Sequence, residues 1–381
     1  MLAKLFVIAS IGLAAANAQF QFKDTYPAAY TVPTPKPEWL DLIKDVKITN
    51  APPLTTENGV LVTPSNVNED PYCTWTFTQC LGPDDVHTCP TQKWSLTYDD
   101  GPSQYTPKLL DFLKEINEKA TFFVVGGQVL QYPEILKRAY DEGHEIAMHS
   151  WSHKNMATLT NEELVGELKW NEQVIKEVIG VSPRFFRPPF GNMDDRVRDI
   201  VKALGFTPVI WSVDTNDWYL TEHADTFPVS YITGNVTQWA SQAATTGGNS
   251  LGHDLYAETV DAAIEYIPIL SKAFDLTSVG ECNNLQSYKE GAGNITPQPS
   301  KSGDAATPSN SSESQKEEEE KKEEKKDEDK KKGENEDEDE DEDSEIKAQE
   351  DDNESGASTL FRASSSGALM IAAAVAAVLS N

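Results

Sequence analysis

The chain has 381 residues, of which 62 are acidic and 32 basic, for a formal net charge of −30. A deficit of cations on this scale argues against nucleic acid as a partner, because phosphate binding needs a basic surface. Length would allow two domains, but the composition is so uneven that long stretches cannot bury a core.

Residues 1–18 carry Lys4, the apolar run Leu5 to Ala16 and the small-residue pattern Ala16-Asn17-Ala18. That layout is a secretory signal peptide, too short and wrongly flanked for a membrane span. Residues 19–88 are rich in Pro, Thr and Asn, show little periodicity, and read as an irregular extension that packs on the domain. From Trp94 the pattern alternates. The spacing of apolar residues predicts strands at 94–98, 121–125, 145–149, 184–187, 207–213 and 250–253. It predicts helices at 106–118, 133–142, 161–179, 195–204 and 257–274, with a less certain helical stretch in 221–246. Repeated strand–helix units of this kind predict an α/β domain with a mainly parallel sheet, either a (β/α) barrel or an open doubly wound sheet. No Gly-x-Gly-x-x-Gly follows the first strand and there is no phosphate loop, so a nucleotide fold is not expected.

Four cysteines, Cys73, Cys80, Cys89 and Cys282, fit disulfides in a secreted chain and allow three connectivities. A Cys89–Cys282 bond would close the folded domain end to end and leave Cys73–Cys80 as a local loop, and this pairing is preferred. No Cys-x-x-Cys is present to suggest a cysteine zinc site. Sequons at Asn235, Asn294, Asn310 and Asn353 fit glycosylation on a secretory route.

Residues 297–354 are low in complexity: Pro, Ser and Gly first, then a Glu/Lys/Asp tract that carries about half of the net charge. Such a segment cannot offset the entropy of folding and is expected to be a disordered spacer. Beyond it come the small residues Ser355-Gly356-Ala357, a polar stretch to Ser366 and a weakly apolar tail to Leu379. Small site, spacer and terminal tail make the pattern of a GPI anchor with attachment at Ser355, whose tail over 355–381 is removed. The chain would then sit on the outer face of the plasma membrane and in the cell wall.

The chemistry concentrates at predicted strand ends. Asp99 and Asp100 close the first strand before Gly101-Pro102 breaks it. Two adjacent carboxylates are costly without a cation or a proton, although an Asp-rich turn that caps the next helix is also good chemistry. His149 and His153, at i and i+4 after the third strand, can converge on one metal or can simply flank Trp151. With one carboxylate they form a two-His, one-Asp set that leaves positions open, as hydrolytic metal catalysis requires.

Five motifs then appear in order: Thr-Tyr-Asp-Asp at 97–100, His-Ser-Trp-Ser-His at 149–153, Arg-Pro-Pro-Phe-Gly at 187–191, Asp-Thr-Asn-Asp-Trp at 214–218 and Leu-Gly-His at 251–253. Over about residues 90–282 this resembles the polysaccharide deacetylase family, carbohydrate esterase family four. Together with the leader, cysteines, stalk and anchor-like tail, it is most similar to the fungal cell-wall chitin deacetylases. The resemblance implies a distorted (β/α) barrel over 89–285 that hydrolyses N-acetyl groups of chitin to give chitosan and acetate. An O-acetyl esterase on xylan or another polysaccharide, or a non-catalytic wall carbohydrate-binding protein, are the alternatives. It also implies the roles of individual residues. Asp100, His149 and His153 would hold a divalent metal, zinc or cobalt. Asp99 would be the general base, oriented by Arg187. Phe190 would give a backbone N–H to the oxyanion. His253 would be the general acid, steadied by Asp217, while Asp214 would be structural. Trp218 and Leu251 would form the pocket for the acetyl methyl. The expected partners are chitin and, through the anchor, the plasma membrane, with the chain a monomer. One departure stands out: the last motif follows Gly247-Gly248-Asn249, and this glycine-rich approach is expected to weaken the strand that carries His253.

Overall fold

A computed structural model describes residues 20–291, apart from Asn66 and Ala224. The leader, Asn294, Asn310, Asn353, the acidic stalk and Ser355 lie outside the described residues. The central strand is β1 (Lys93–Asp99), in which every residue after Lys93 is buried. Burial on both faces is what a parallel sheet covered by helices demands, and it explains the continuous apolar reading of this stretch. The other strands are β2 (Thr121–Val124), β3 (Glu145–Met148), β4 (Phe185–Phe186), β5 (Thr207–Pro208), β6 (Val213–Asp214), β7 (Gly248–His253) and β8 (Asp275–Thr277). They line up in the order β5-β4-β3-β2-β1-β7-β6, and β8 pairs with the start of β1 below β2. Every pairing in this sheet is parallel.

The two edge strands, β5 and β6, are joined only by residues 209–212. That link reaches roughly 18 Å when fully extended. A flat sheet would hold the two edges about 29 Å apart. The sheet therefore curls until its edges nearly meet, which is the distorted barrel expected from the sequence. The same link corrects the expectation of one strand over 207–213. Val209 N–H still bonds to Phe186 on one edge, whereas Ser212 N–H bonds to Asn249 on the other, so the chain must bend between them.

Seven main helices pack on the sheet: α1 (Thr106–Glu115), α2 (Gly126–Gln131), α3 (Pro133–Asp141), α4 (Asn161–Ile179), α5 (Asp195–Ala203), α6 (Val229–Ser241) and α7 (Ala257–Ala273). The bounds of α4 are those the periodicity predicts. It opens with a capping box between Thr160 and Glu163 and ends at Gly180, whose φ of 86° suits a left-handed cap. The predicted helix at 106–118 stops earlier, at Glu115, before Asn117 takes a φ of 58°. Helix α2 was not expected, because its opening Gly126-Gly127 looks like a turn.

The glycine-rich approach to His253 does not weaken its strand. β7 runs the full six residues beside β1, with Trp94 opposite Gly248 and Asp99 opposite His253. A Cβ at Gly248 would strike the Trp94 ring, and one at Gly247 would strike the Pro90 carbonyl. These glycines are the space into which the first strand packs, not a break.

Both disulfides form as preferred from the sequence, Cys73–Cys80 and Cys89–Cys282. The second closes a separation of 193 residues and ties the entry of β1 to the end of the domain. Replacing Cys89 and Cys282 by alanine is expected to cost about 2–5 kcal/mol in a urea titration. Replacing Cys73 and Cys80 should cost less, because their loop spans only seven residues.

Candidate active site

The register of β1 and β7 places Asp99 and His253 side by side at the C-terminal ends of adjacent strands. Asp100 follows with a φ of 76°, a left-handed conformation that departs from the alternation of the strand. Its carboxylate thereby joins the same mouth as that of Asp99. Asp100 Oδ1 lies 3.0 Å from His153 Nε2 and 3.4 Å from His149 Nε2. The second oxygen of Asp99 is 3.8 Å from His149 Nε2.

Asp100, His149 and His153 offer one ligand atom each, all within 4.8 Å of one another. Asp100 Oδ1 is buried and has no partner in hydrogen-bonding geometry. His149 Nδ1 is 2.8 Å from the Arg187 carbonyl, so this nitrogen carries the proton and donates, which leaves Nε2 with a free lone pair. Burial pulls the His149 ring down to about 4 in spite of the Asp99 charge, which keeps it neutral. Burial alone would raise the Asp100 carboxyl, but His153, His253 and His149 override it and hold it well below the usual carboxylate range. Two imidazoles, one of them held neutral by burial, beside an ionised carboxylate with an orphaned oxygen fit a divalent cation.

Arg187 is fully buried at the end of β4 and organises the site from beneath. Its Nη1 donates to Asp99 Oδ1 at 2.8 Å and to Thr97 Oγ1 at 2.6 Å, and its Nη2 reaches Asn249 Oδ1 at 3.3 Å. The guanidinium also lies over the Phe123 ring at 4.0 Å. Asn249 is in turn held by donating to the Ile210 carbonyl. Neither Thr97 nor Asn249 stood out in the sequence as a partner of Arg187. Thr97 sits within the first motif and Asn249 in the glycine-rich approach to the last, but only the pairing of β1 with β7 brings them to one guanidinium.

On the other side, His253 Nδ1 is 2.7 Å from Asp217 Oδ1, and the His253 backbone N–H donates to Asp217 Oδ2 at 2.8 Å. Burial would lower this ring, but the Asp217 carboxylate outweighs it and His253 is pushed up to about 10. Asp214 accepts from the Asn216 N–H at 2.7 Å, and burial pushes its carboxyl up to about 6. Asp214 thus shapes the turn that presents Asp217. Phe190 has a φ of 59°, and its ring meets His153 edge-on at 4.7 Å. Leu251 is buried on β7, two residues before His253, and Trp218 directly follows Asp217. The structure thus brings Asp99, Asp100, His149, His153, Arg187, Asp217 and His253 together at the strand ends, with the Phe190 ring against His153. Of the predicted glycosylation sites, Asn235 falls among the described residues, exposed on α6.

The histidine loop also depends on two residues that periodicity hid. Glu167 of α4 is fully buried, and its carboxylate accepts from the N–H groups of Trp151 and Ser152 at 2.8 and 2.9 Å. Asn171, one turn on, donates to the carbonyls of Val124 and Ser150. The one trace they leave in the sequence is two polar residues at i and i+4 on the apolar face of a long helix, which does not say what they hold.

The polysaccharide deacetylase profile matches residues 87–209. The chain is 40% identical over 294 residues to chitin deacetylase 1 of Cryptococcus neoformans var. grubii serotype A, covering 71% of this chain and 62% of that protein. It is 35% identical over 218 residues to chitin deacetylase 1 of Saccharomyces cerevisiae, covering 57% of this chain and 69% of that one. The crystal structure of a chitin deacetylase from Colletotrichum lindemuthianum superposes with a TM-score of 0.51 at 25% identity, covering 55% of this chain and 97% of that one. This chain belongs to the polysaccharide deacetylase family. It matches only 62% of the length of the Cryptococcus relative.

The coupling of His253 to Asp217 has a direct test by NMR titration in the metal-free protein. The His253 ring should titrate near pH 10. Asp217→Asn should bring that titration down by about one to three pH units, because it removes the adjacent anion.

Proposed function

We propose that this chain is a metal-dependent chitin deacetylase that hydrolyses the N-acetyl groups of N-acetylglucosamine units to give chitosan and acetate. The observation that carries the reading is the pair Asp99 and His253 on adjacent strand ends, flanking the convergent donors Asp100, His149 and His153. The names of the relatives, all deacetylases of chitin, support the same substrate.

Asp100, His149 and His153 would hold a divalent ion, zinc or cobalt. Bound there, such an ion supplies Lewis-acid chemistry, polarising the acyl oxygen and acidifying water. Asp99 takes the proton of the attacking water as its oxygen bonds to the acetamide carbon. Arg187 holds one Asp99 oxygen and leaves the other facing the site. The backbone N–H of Phe190 stabilises the oxyanion of the tetrahedral adduct. His253, kept protonated by Asp217, gives its proton to the sugar nitrogen as the C–N bond breaks, so that the amine leaves neutral and acetate remains. Trp218 and Leu251 line the pocket for the acetyl methyl and set the preference for a two-carbon acyl group.

The leader, the sequons at Asn235, Asn294, Asn310 and Asn353 and the tail after Ser355 support a glycosylated, GPI-anchored protein at the plasma membrane and wall. The disulfides support folding in an oxidising compartment.

Acetate release from chitin oligomers is the deciding assay. It should vanish with a chelator, return with zinc or cobalt, and fall about 10²–10⁴-fold in Asp99→Asn. Release only from acetylated xylan would move the function to an O-acetyl esterase. A zinc-loaded chain that binds chitin but frees no acetate would make it a binding protein. The sign of the pH dependence follows from His253, whose protonated form is the active one. Activity should persist at neutral pH and decline as pH rises through the His253 titration. Asp217→Asn should move that decline to lower pH.

A further inference from the structure

Within the loop that carries His149 and His153, the His153 N–H donates to Ser150 Oγ at 3.0 Å. Ser150 and His153 take φ values of 65° and 58°, left-handed conformations that side-chain-bearing residues keep only where neighbours over-determine them. Two neighbours belong to the body: α2, whose Gly126 and Gly127 N–H groups donate to the Ser150 and Trp151 carbonyls at 3.0 Å each, and α4, through Glu167 and Asn171. A third is the N-terminal segment 20–39, which lies outside the residues matched by the family profile.

Trp151, midway between the two histidines, is fully buried against this segment. The Tyr26 ring stacks on it at 5.9 Å and 12°. Its Nε1–H donates to the Ala28 carbonyl at 3.2 Å. Tyr26 is itself fixed, donating from its hydroxyl to Glu177 Oε2 at 2.6 Å and meeting Trp170 edge-on at 5.8 Å. The segment is then strapped to α4: Trp170 Nε1–H donates to the Thr34 carbonyl at 2.9 Å, and the Lys36 ammonium lies 4.8 Å over the Trp170 ring. The body leaves room for it. A Cβ at Gly166 of α4 would strike the Pro33 carbonyl, and one at Gly127 of α2 would stand 3.0 Å from Ala29. The strap is also tied to the end of α2, where the Gln131 side chain donates to the Tyr30 hydroxyl at 3.4 Å.

We propose that this N-terminal strap is the outer support of the metal-ligand loop, with Tyr26 a positioning residue that acts through Trp151 on His149 and His153. The inference rests on the metal-dependent reading above. Supports of this kind set the orientation of ligating histidines, and their loss weakens metal binding.

The test is zinc affinity, measured on the secreted full-length chain by competition with a chromophoric chelator. Tyr26→Ala should weaken zinc binding by about tenfold or more. Tyr26→Phe keeps the stacked ring and should bind as the parent does. Trp39→Ala is the control: it removes an edge contact with Trp170 at 4.9 Å on the same strap without touching Trp151. It should lower thermal stability and leave zinc affinity unchanged. Zinc binding by Tyr26→Ala equal to the parent, or an equal weakening in Trp39→Ala, overturns the proposal. Should Tyr26→Ala not fold, Tyr26→Leu retains bulk without the stack, and the same two outcomes decide. A parent that binds no zinc at all would overturn the metal reading and this inference together, whereas a zinc-binding parent matched by its Tyr26 variants overturns the inference alone.

Discussion

The buried guanidinium of Arg187 is the interaction on which the site depends. A charge with no exposure to water is costly unless its partners are well placed. Here they are Asp99 and Thr97 on β1 and Asn249 on β7, with the Phe123 ring against its face. Burial pulls the guanidinium down, and the Asp99 charge opposes that pull. The same residue uses its carbonyl to set the tautomer of His149. One residue thus couples the Asp99 carboxylate to the His149 ring.

Two histidines near one another are held in opposite protonation states by their surroundings. His149 meets a carbonyl and little water and is neutral. His253 meets the carboxylate of Asp217 twice, through ring and backbone, and is cationic. Environment rather than residue type separates the two protonation states.

The fold serves this arrangement by curling. Because residues 209–212 must bridge the two edges of the sheet, the strand ends gather into one rim. Every motif then contributes from a different strand end to a common mouth. The glycines before His253 belong to the same constraint, since β7 must approach β1 closely enough for Asp99 and His253 to stand opposite each other.

Much of this was legible in the amino-acid order. The alternation of apolar runs marks the strands and helices, the five ordered motifs mark the reactive residues, and the positions of Cys89 and Cys282 mark the closure of the domain. These features are local, carried by residue type and spacing along one segment. Other features depend on which segments meet. That Gly247 and Gly248 make room rather than break a strand follows from Trp94 and Pro90, more than 150 residues earlier. That 207–213 divides between two sheet edges follows from hydrogen bonds to Phe186 and Asn249, which no periodicity encodes. The burial of Glu167 and Asn171 beneath the histidine loop, and of Trp151 beneath the N-terminal strap, likewise appears only once α4 is packed. The sequence by itself determined which groups are available for chemistry, because that choice is one of residue type. Tertiary structure alone decided their protonation and their support, because both depend on burial and on neighbours far away in the chain.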